Sequence, residues 1–162
     1  VGLTADICDI YREKVTLADP MFKSFGKKQT FYGPIHTVKV FEDNVLVKKS
    51  LEDIPEGSVL VVDGGGSMRC ALLGDNLAAI AESRKLQGVI VFGCIRDSGE
   101  MNDMNVSIRA VATNPIKSIK KGEGEVNVPV RFANVDWKPG SWVYADEDGI
   151  LITEDMLDLS VL

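Results

Sequence analysis

Histidine and cysteine are scarce: His36 stands alone, and Cys8, Cys70 and Cys94 are far apart with no C-x-x-C pair. That spacing builds neither a zinc site nor a redox dithiol, and it predicts buried free thiols in a reducing compartment. Long hydrophobic runs are absent too. The longest, residues 59–62 and 88–95, fall far short of the roughly 20 residues a membrane helix needs, and no basic start precedes an apolar leader. The expectation is a soluble, cytoplasmic protein with no membrane association. Basic residues are in deficit, 18 against 24 acidic ones for a formal charge of -6, which disfavours direct nucleic-acid binding because phosphate contacts need clustered Lys and Arg. The basic clusters at residues 27–28, 48–49 and 117–121 are short and read as solvated faces.

What is present fits one domain spanning residues 1–162. With 45% hydrophobic and 26% charged residues the composition is ordinary for a globular protein, and at this length folding buries about two thirds of the unfolded surface. Residues 4–11 (TADICDIY) predict a short helix capped by Thr4. Residues 31–41 alternate as a strand broken near Gly33 and Pro34, and residues 44–51 suit a helix. Residues 58–62 (SVLVV) read as a strand buried on both faces, residues 75–86 as an amphipathic helix stopped by Gly88, and residues 89–92 as a second buried strand. Together they predict a βαβ unit with parallel pairing, and a ligand site beyond the strands' carboxyl ends. Residues 106–113 suggest another strand, residues 126–132, 140–144 and 149–153 short β elements, and the residues after Thr153 a helical turn. The fold class is α/β.

Two motifs sit at the expected ligand edge. Gly74-Asp75-Asn76-Leu77 opens the amphipathic helix, where unpaired N–H groups favour a carboxylate, although Asp75 or Asn76 as a plain helix cap explains the pattern too. Arg96-Asp97 follows the second buried strand. A surface ion pair is the bland reading; the sharper one is a guanidinium fork for a keto acid beside a hard oxygen ligand for magnesium or manganese. The glycine loop from Asp63 to Ser67 lacks both the full dinucleotide fingerprint and the P-loop ending, so it reads as a tight turn. His36 suits a structural imidazole, and Trp137 and Trp142 a core edge or subunit contact. Cys94, close to Arg96, has no neighbouring histidine to activate it, and no spacing singles out Glu100, Asp103, Glu123 or Glu125 as orienting groups.

The stretches VLVVDGGGSMRCALLGDNLA, GVIVFGCIRD and YADEDGILI, with FEDN at residues 41–44, are similar to the RraA-like family, which includes the regulator of ribonuclease activity A and the 4-hydroxy-4-methyl-2-oxoglutarate aldolases. The likeness runs from Cys8 to nearly the end of the chain. It implies a single compact β/β/α domain resembling the swivelling phosphohistidine-domain fold, with a mixed sheet and a central βαβ unit. It also implies a homotrimer, sometimes paired into a hexamer, with a cleft between subunits, and it sets aside a menaquinone methyltransferase label that family members have carried. The pattern G-D-x-L followed by R-D marks the aldolase-like branch. By that resemblance the amides of Gly74, Asp75, Asn76 and Leu77 and the Arg96 guanidinium hold the pyruvyl part of a 2-keto acid, while Asp97 anchors a divalent cation, magnesium or manganese. Arg96 and Asp97 are then the catalytic pair.

The expected activity is a class II aldolase with oxaloacetate decarboxylation through a pyruvate enolate, chemistry in which a cation and a guanidinium share the charge on the keto oxygen. The alternative is a non-catalytic inhibitor of an RNase E-type endonuclease. Larger aldolases of the family carry further carboxy-terminal sequence near the neighbouring site, and beyond Leu162 those acidic groups are expected to be missing.

Overall fold

The computed structural model describes residues 2–162. Its first half contains α1 (Leu3–Tyr11), β1 (Thr16–Leu17), β2 (Lys23–Phe25), β3 (Phe31–Lys39), α2 (Val45–Asp53), β4 (Val59–Asp63), β5 (Ala71–Leu73) and α3 (Asp75–Ser83). There follow β6 (Gly88–Ile95), α4 (Ser98–Asn102), β7 (Ile108–Thr113), β8 (Glu125–Val126), β9 (Val130–Phe132), β10 (Val135–Trp137), β11 (Trp142–Ala145), β12 (Ile150–Thr153) and a 3-10 turn, Leu159–Val161. A 10-stranded mixed sheet runs β1-β12-β11-β3-β4-β6-β7-β2, with β5 beside β6 and β8 beside β3; β9 and β10 form a separate hairpin.

The curl of the sheet centres on β3. Phe31 to Pro34 pair antiparallel with β11, whereas Ile35 to Lys39 pair parallel with β4. The strand is therefore continuous where a break was expected at Gly33 and Pro34, because Pro34, which has no N–H to give, falls where the strand changes partner. Gly33 is needed for close approach: a Cβ there would lie 2.5 Å from the Gly57 carbonyl oxygen.

The βαβ unit is present, with β4 and β6 parallel from Val59↔Gly88 to Asp63↔Phe92. Every residue of β4 is buried, and alternation sends its side chains to two cores. Leu60 and Val62 pack with Val47, Leu51, Ala78 and Ala81 of α2 and α3. Val59 and Val61 pack with Val130, Phe132, Val135 and Trp137 of the β9–β10 hairpin. Helices, sheet and hairpin thus make the expected β/β/α layers, and α1 closes a third cluster through Ile7, Tyr144 and Leu151. No helix among the described residues is long and apolar enough to cross a membrane.

Several local expectations are corrected. Thr4 is not a cap: α1 begins at Leu3, and buried Thr4 donates its N–H (2.9 Å) and hydroxyl (2.6 Å) to Asp146. The amphipathic helix ends at Ser83 rather than residue 86, and Gly88 does not stop it. Lys85 takes the left-handed conformation (φ 55°), with Leu86 N–H donating to Ala81 O and Lys85 N–H to Glu82 O. That is a Schellman closure with lysine where glycine is usual. Residues 126–132 form two short strands with different partners, and the terminal turn comes at Leu159–Val161, after Glu154 and Asp155. Trp137 is fully buried, its indole N–H bonded to Phe132 O at 3.1 Å, and Trp142 is partly buried on β11.

Truncating Leu60, which is fully buried beneath α2 and α3, is expected to cost about 2–5 kcal/mol. Urea unfolding of Leu60→Ala checks this, and a loss under about 1 kcal/mol would contradict the core as described.

Candidate functional site

The site arises from a pairing between neighbouring short segments. Parallel pairing of β5 with β6 (Ala71↔Cys94, Leu73↔Ile95) puts the residue after each strand side by side. Arg96 N–H donates to Leu73 O at 2.9 Å, so Gly74 and Arg96 leave the sheet together. Asp97 then adopts a left-handed backbone (φ 58°, ψ 38°), a conformation that aspartate tolerates better than most residues. This turns its carboxylate back onto α3: Oδ2 accepts the Asp75 N–H at 3.1 Å. Gly74 has no room for a side chain, because a Cβ there would sit 2.7 Å from Asp97 Oδ2.

The two sequence motifs therefore form one structure. Neither Asp75 nor Asn76 caps α3 with its own side chain; Asp97 supplies the cap from the next strand. Arg96 and Asp97 are not an ion pair, and no carboxylate pairs with the Arg96 guanidinium among the described residues. The first α3 amide to enter the helical ladder is Ala78, whose N–H meets Gly74 O. The N–H groups of Asn76 and Leu77 stand at the positive end of the helix dipole with no acceptor among the described residues.

The opposite wall was not foreseen. Residues 116–123 form a strap that joins β5 through Ala71 N–H to Ile116 O (2.8 Å) and β3's exit through Ile119 N–H to Glu42 O (2.9 Å). Asp43 anchors it: one carboxylate oxygen accepts the N–H groups of Lys121, Gly122 and Glu123 at 3.0, 2.9 and 3.1 Å, and the other takes Val45 N–H. Burial alone raises the Asp43 pKa, but these N–H donors outweigh it and hold the carboxyl below the ordinary carboxylate value. Residues 117–121, read from the sequence as a solvated face, instead contribute Lys117, Ser118 and Lys120 to a cleft of about 170 Å³.

All six residues singled out from the sequence, Gly74, Asp75, Asn76, Leu77, Arg96 and Asp97, line that cleft, joined by Asn44 and the strap. Asn44 bridges the walls, accepting from Lys120 Nζ at 2.8 Å and donating to Leu72 O at 3.2 Å. Three cations (Arg96, Lys117, Lys120) face two carboxylates (Asp75, Asp97), a positive bias on a chain of net charge -6. Ser118, only 4% exposed, has a hydroxyl with no hydrogen-bond partner among the described residues. A buried hydroxyl left unmatched costs roughly 1–3 kcal/mol, an exception that asks for a reason.

For a metal ion, no group of three or more His, Cys, Asp or Glu comes together among the described residues. A dedicated cage is therefore not what this cleft offers. The donor set would fit only a hard cation that keeps most of its waters and takes substrate oxygens, as magnesium does, and Asp97 is the carboxylate that would hold it.

Other candidates fall away from the cleft. The glycine loop is internally satisfied, with Gly64 and Gly66 N–H on Phe92 O and Gly65 N–H on Asp63 Oδ1. Cys94 is fully buried, and burial pushes its thiol pKa up, away from the reactive thiolate. His36, Glu100, Asp103, Glu123 and Glu125 do not line the cleft. Larger hollows of about 210 and 430 Å³ exist. In the first, the Arg109 guanidinium is already taken by Ser24, Ser107 and Gln29 O, and the second lies between the end of α1 and the segment after β12.

Fold and cleft together define an α/β protein with a helix-end cleft in which three cationic side chains outnumber two carboxylates. A family model described as RraA-like (Aldolase/RraA) matches residues 4–152. A Bacillus cereus protein, provisionally named 4-hydroxy-4-methyl-2-oxoglutarate aldolase, is 54% identical over 95% of this chain and 97% of its own. An Arabidopsis thaliana protein of the same provisional name is 50% identical over 96% and 97%. Among solved structures, an RNA-processing inhibitor RraA from Thermus thermophilis superposes with a TM-score of 0.93 at 44% identity, covering 98% of this chain and 96% of that one. A Geobacillus kaustophilus protein described as an S-adenosylmethionine:2-dimethylmenaquinone methyltransferase gives 0.94 at 50%, covering 99% of each. The chain belongs to the RraA-like family.

Gly74→Ala is expected to displace the Asp97 carboxylate and lower thermal stability by about 1–3 kcal/mol; an unchanged melting temperature would contradict the contact. For Asp43 the lowered folded-state pKa means its stabilisation is full above the unfolded carboxylate pKa, about 3.9, and is lost as pH falls through the lower folded value. The wild type should thus lose stability over that acid range, and Asp43→Asn should flatten that part of the melting-temperature profile. A variant profile parallel to the wild type would contradict the anchor.

Proposed function

We propose that the cleft is the active site of a lyase that cleaves 4-hydroxy-4-methyl-2-oxoglutarate-like 2-keto acids to pyruvate and decarboxylates oxaloacetate. The observation that carries this reading is the convergence of the unpaired Arg96 guanidinium, the open α3 amides and the Asp97 carboxylate on one cleft. Chemically related provisional names among relatives about 50% identical support it.

In this reading the Asn76 and Leu77 N–H groups and Arg96 bind the keto-acid carboxylate and keto oxygen. When the C3–C4 bond breaks, its electron pair moves onto the pyruvyl fragment as an enolate. The 4-hydroxyl becomes a carbonyl and releases its proton, and C3 then takes up a proton to give pyruvate. Decarboxylation breaks the corresponding bond in oxaloacetate, releases carbon dioxide and passes through the same enolate. Arg96 stabilises the charge that grows on the keto oxygen, the role of an oxyanion donor. A magnesium or manganese ion at Asp97 would supply Lewis-acid stabilisation of that charge. A Schiff base is disfavoured, since Lys117 and Lys120 are exposed and lack the desolvation that activates such lysines.

Several large apolar side chains are open to solvent, among them Phe41, Met68, Ile116 and Ile119 at 56%, 52%, 60% and 50% exposure. These residues suit a neighbouring copy, in keeping with a trimer or hexamer of this chain. A second reading, inhibition of an RNase E-type endonuclease without catalysis, is supported by the 44% identity to the Thermus RNA-processing inhibitor. Under that reading a purified nuclease is retained by the immobilised chain and its RNA cleavage slows.

Pyruvate release from the aldol and from oxaloacetate should require magnesium or manganese, stop with chelator, and fall about 10²–10³-fold in Arg96→Ala and at least as far in Asp97→Ala. Equal rates with and without chelator, or full activity in Asp97→Ala, would reject the lyase reading. Light scattering should give about three or six chains per particle; a fully active monomer would contradict the assembly.

A further inference from the structure

The lyase reading uses one wall of the cleft and leaves the other without a task. We propose that Ser118, Lys117 and Lys120 seat the substrate's second carboxylate, the one remote from the keto group, so that the cleft selects 2-keto dicarboxylic acids over their monocarboxylic counterparts. The assignment rests on the lyase reading for what happens at the Arg96 wall and deepens it by naming what the strap recognises.

The Ser118 hydroxyl lies on a residue 4% exposed, it has no partner among the described residues, and the residue lines the cleft. Buried hydroxyls are normally matched, and a ligand oxygen in the cleft would complete this one. The charges beside it point the same way. No carboxylate pairs with Lys117 or Lys120 among the described residues. Lys120 Nζ is fixed by a single bond, to Asn44 Oδ1 at 2.8 Å, which leaves N–H donors free on its ammonium. An anion placed here meets a hydroxyl and two cations, with the nearer acidic groups, Asp75 and Asp97, belonging to the other wall.

The seat is built in advance. The Asp43 anchor and the bonds from Ala71 and Ile119 fix the strap on both sides of Ser118, so ordering it adds little cost on binding. Selectivity follows: a dicarboxylic keto acid satisfies the buried hydroxyl and adds its charge beside the two lysines, whereas a monocarboxylic one leaves the Ser118 hydroxyl buried and unmatched, the situation in which polar sites discriminate strongly.

The test is equilibrium binding of two unreactive keto acids of equal chain length, 2-oxoglutarate and 2-oxopentanoate, with magnesium present, to the full chain and to Ser118→Ala, Lys117→Met/Lys120→Met and Arg96→Ala. The wild type should prefer 2-oxoglutarate by about 30-fold or more. That preference should shrink to about threefold in the Ser118 and lysine variants, with 2-oxopentanoate affinity unchanged, while Arg96→Ala weakens both ligands alike. Ser118→Ala should also melt no lower than the wild type, since the hydroxyl has no partner to lose. Equal wild-type affinity for the two acids would overturn the seat and leave the lyase reading standing, as would a Ser118→Ala variant that melts markedly lower or loses affinity for both alike. Failure of 2-oxoglutarate and 2-oxopentanoate alike to bind would overturn both.

Discussion

The parallel pairing of β5 with β6 is the constraint on which the site depends. Ala71–Leu73 is a short strand that pairs only at its own length with the much longer Gly88–Ile95, yet it brings the start of α3 to the exit of β6. Without it, Gly74 and Arg96 would be separate loop residues, and Asp97 would have no helix amide to cap. The left-handed turn at Asp97 and the missing side chain at Gly74 are two halves of one accommodation. Neither is satisfied without the other.

A second constraint acts from the far side. The chain is acidic overall, but its folding gathers Arg96, Lys117 and Lys120 around one small cleft, and fields focused in such a hollow draw anions from solution. The cations come from two distant stretches of sequence. Asp43 anchors the stretch that carries the lysines by turning its carboxylate into an acceptor for three successive strap amides. A buried carboxylate matched by backbone donors is thus both a stability element and the reason the lysines face the cleft.

The central fold and one wall of the site were legible because local signals and burial agreed there. Continuous apolar strands at residues 59–62 and 89–92 announce a parallel pair, and motifs at the carboxyl ends of such strands fall at a ligand edge. The strap was not legible: its contacts join Asp43 to Lys121 and Ala71 to Ile116, and a run of lysines carries no local sign that it will be folded against a cleft. The same limit explains Lys85, whose left-handed closure of α3 uses a residue without glycine's signature. It also explains Thr4, whose partner is Asp146 at the other end of the chain. The likeness to the RraA-like family added the expectations of a subunit assembly and of aldol cleavage, where the residues alone had suggested only a keto-acid and cation site.

The central claim is that Asp97 holds a divalent cation against a ligand carried by Arg96 and the α3 amides. Calorimetric titration with oxalate, a planar dianion shaped like the pyruvate enolate, tests it most directly, without turnover. Manganese is expected to tighten oxalate binding by about tenfold or more in the wild type, and this gain should disappear in Asp97→Ala. Oxalate affinity independent of the cation, or a gain that survives in Asp97→Ala, would contradict it.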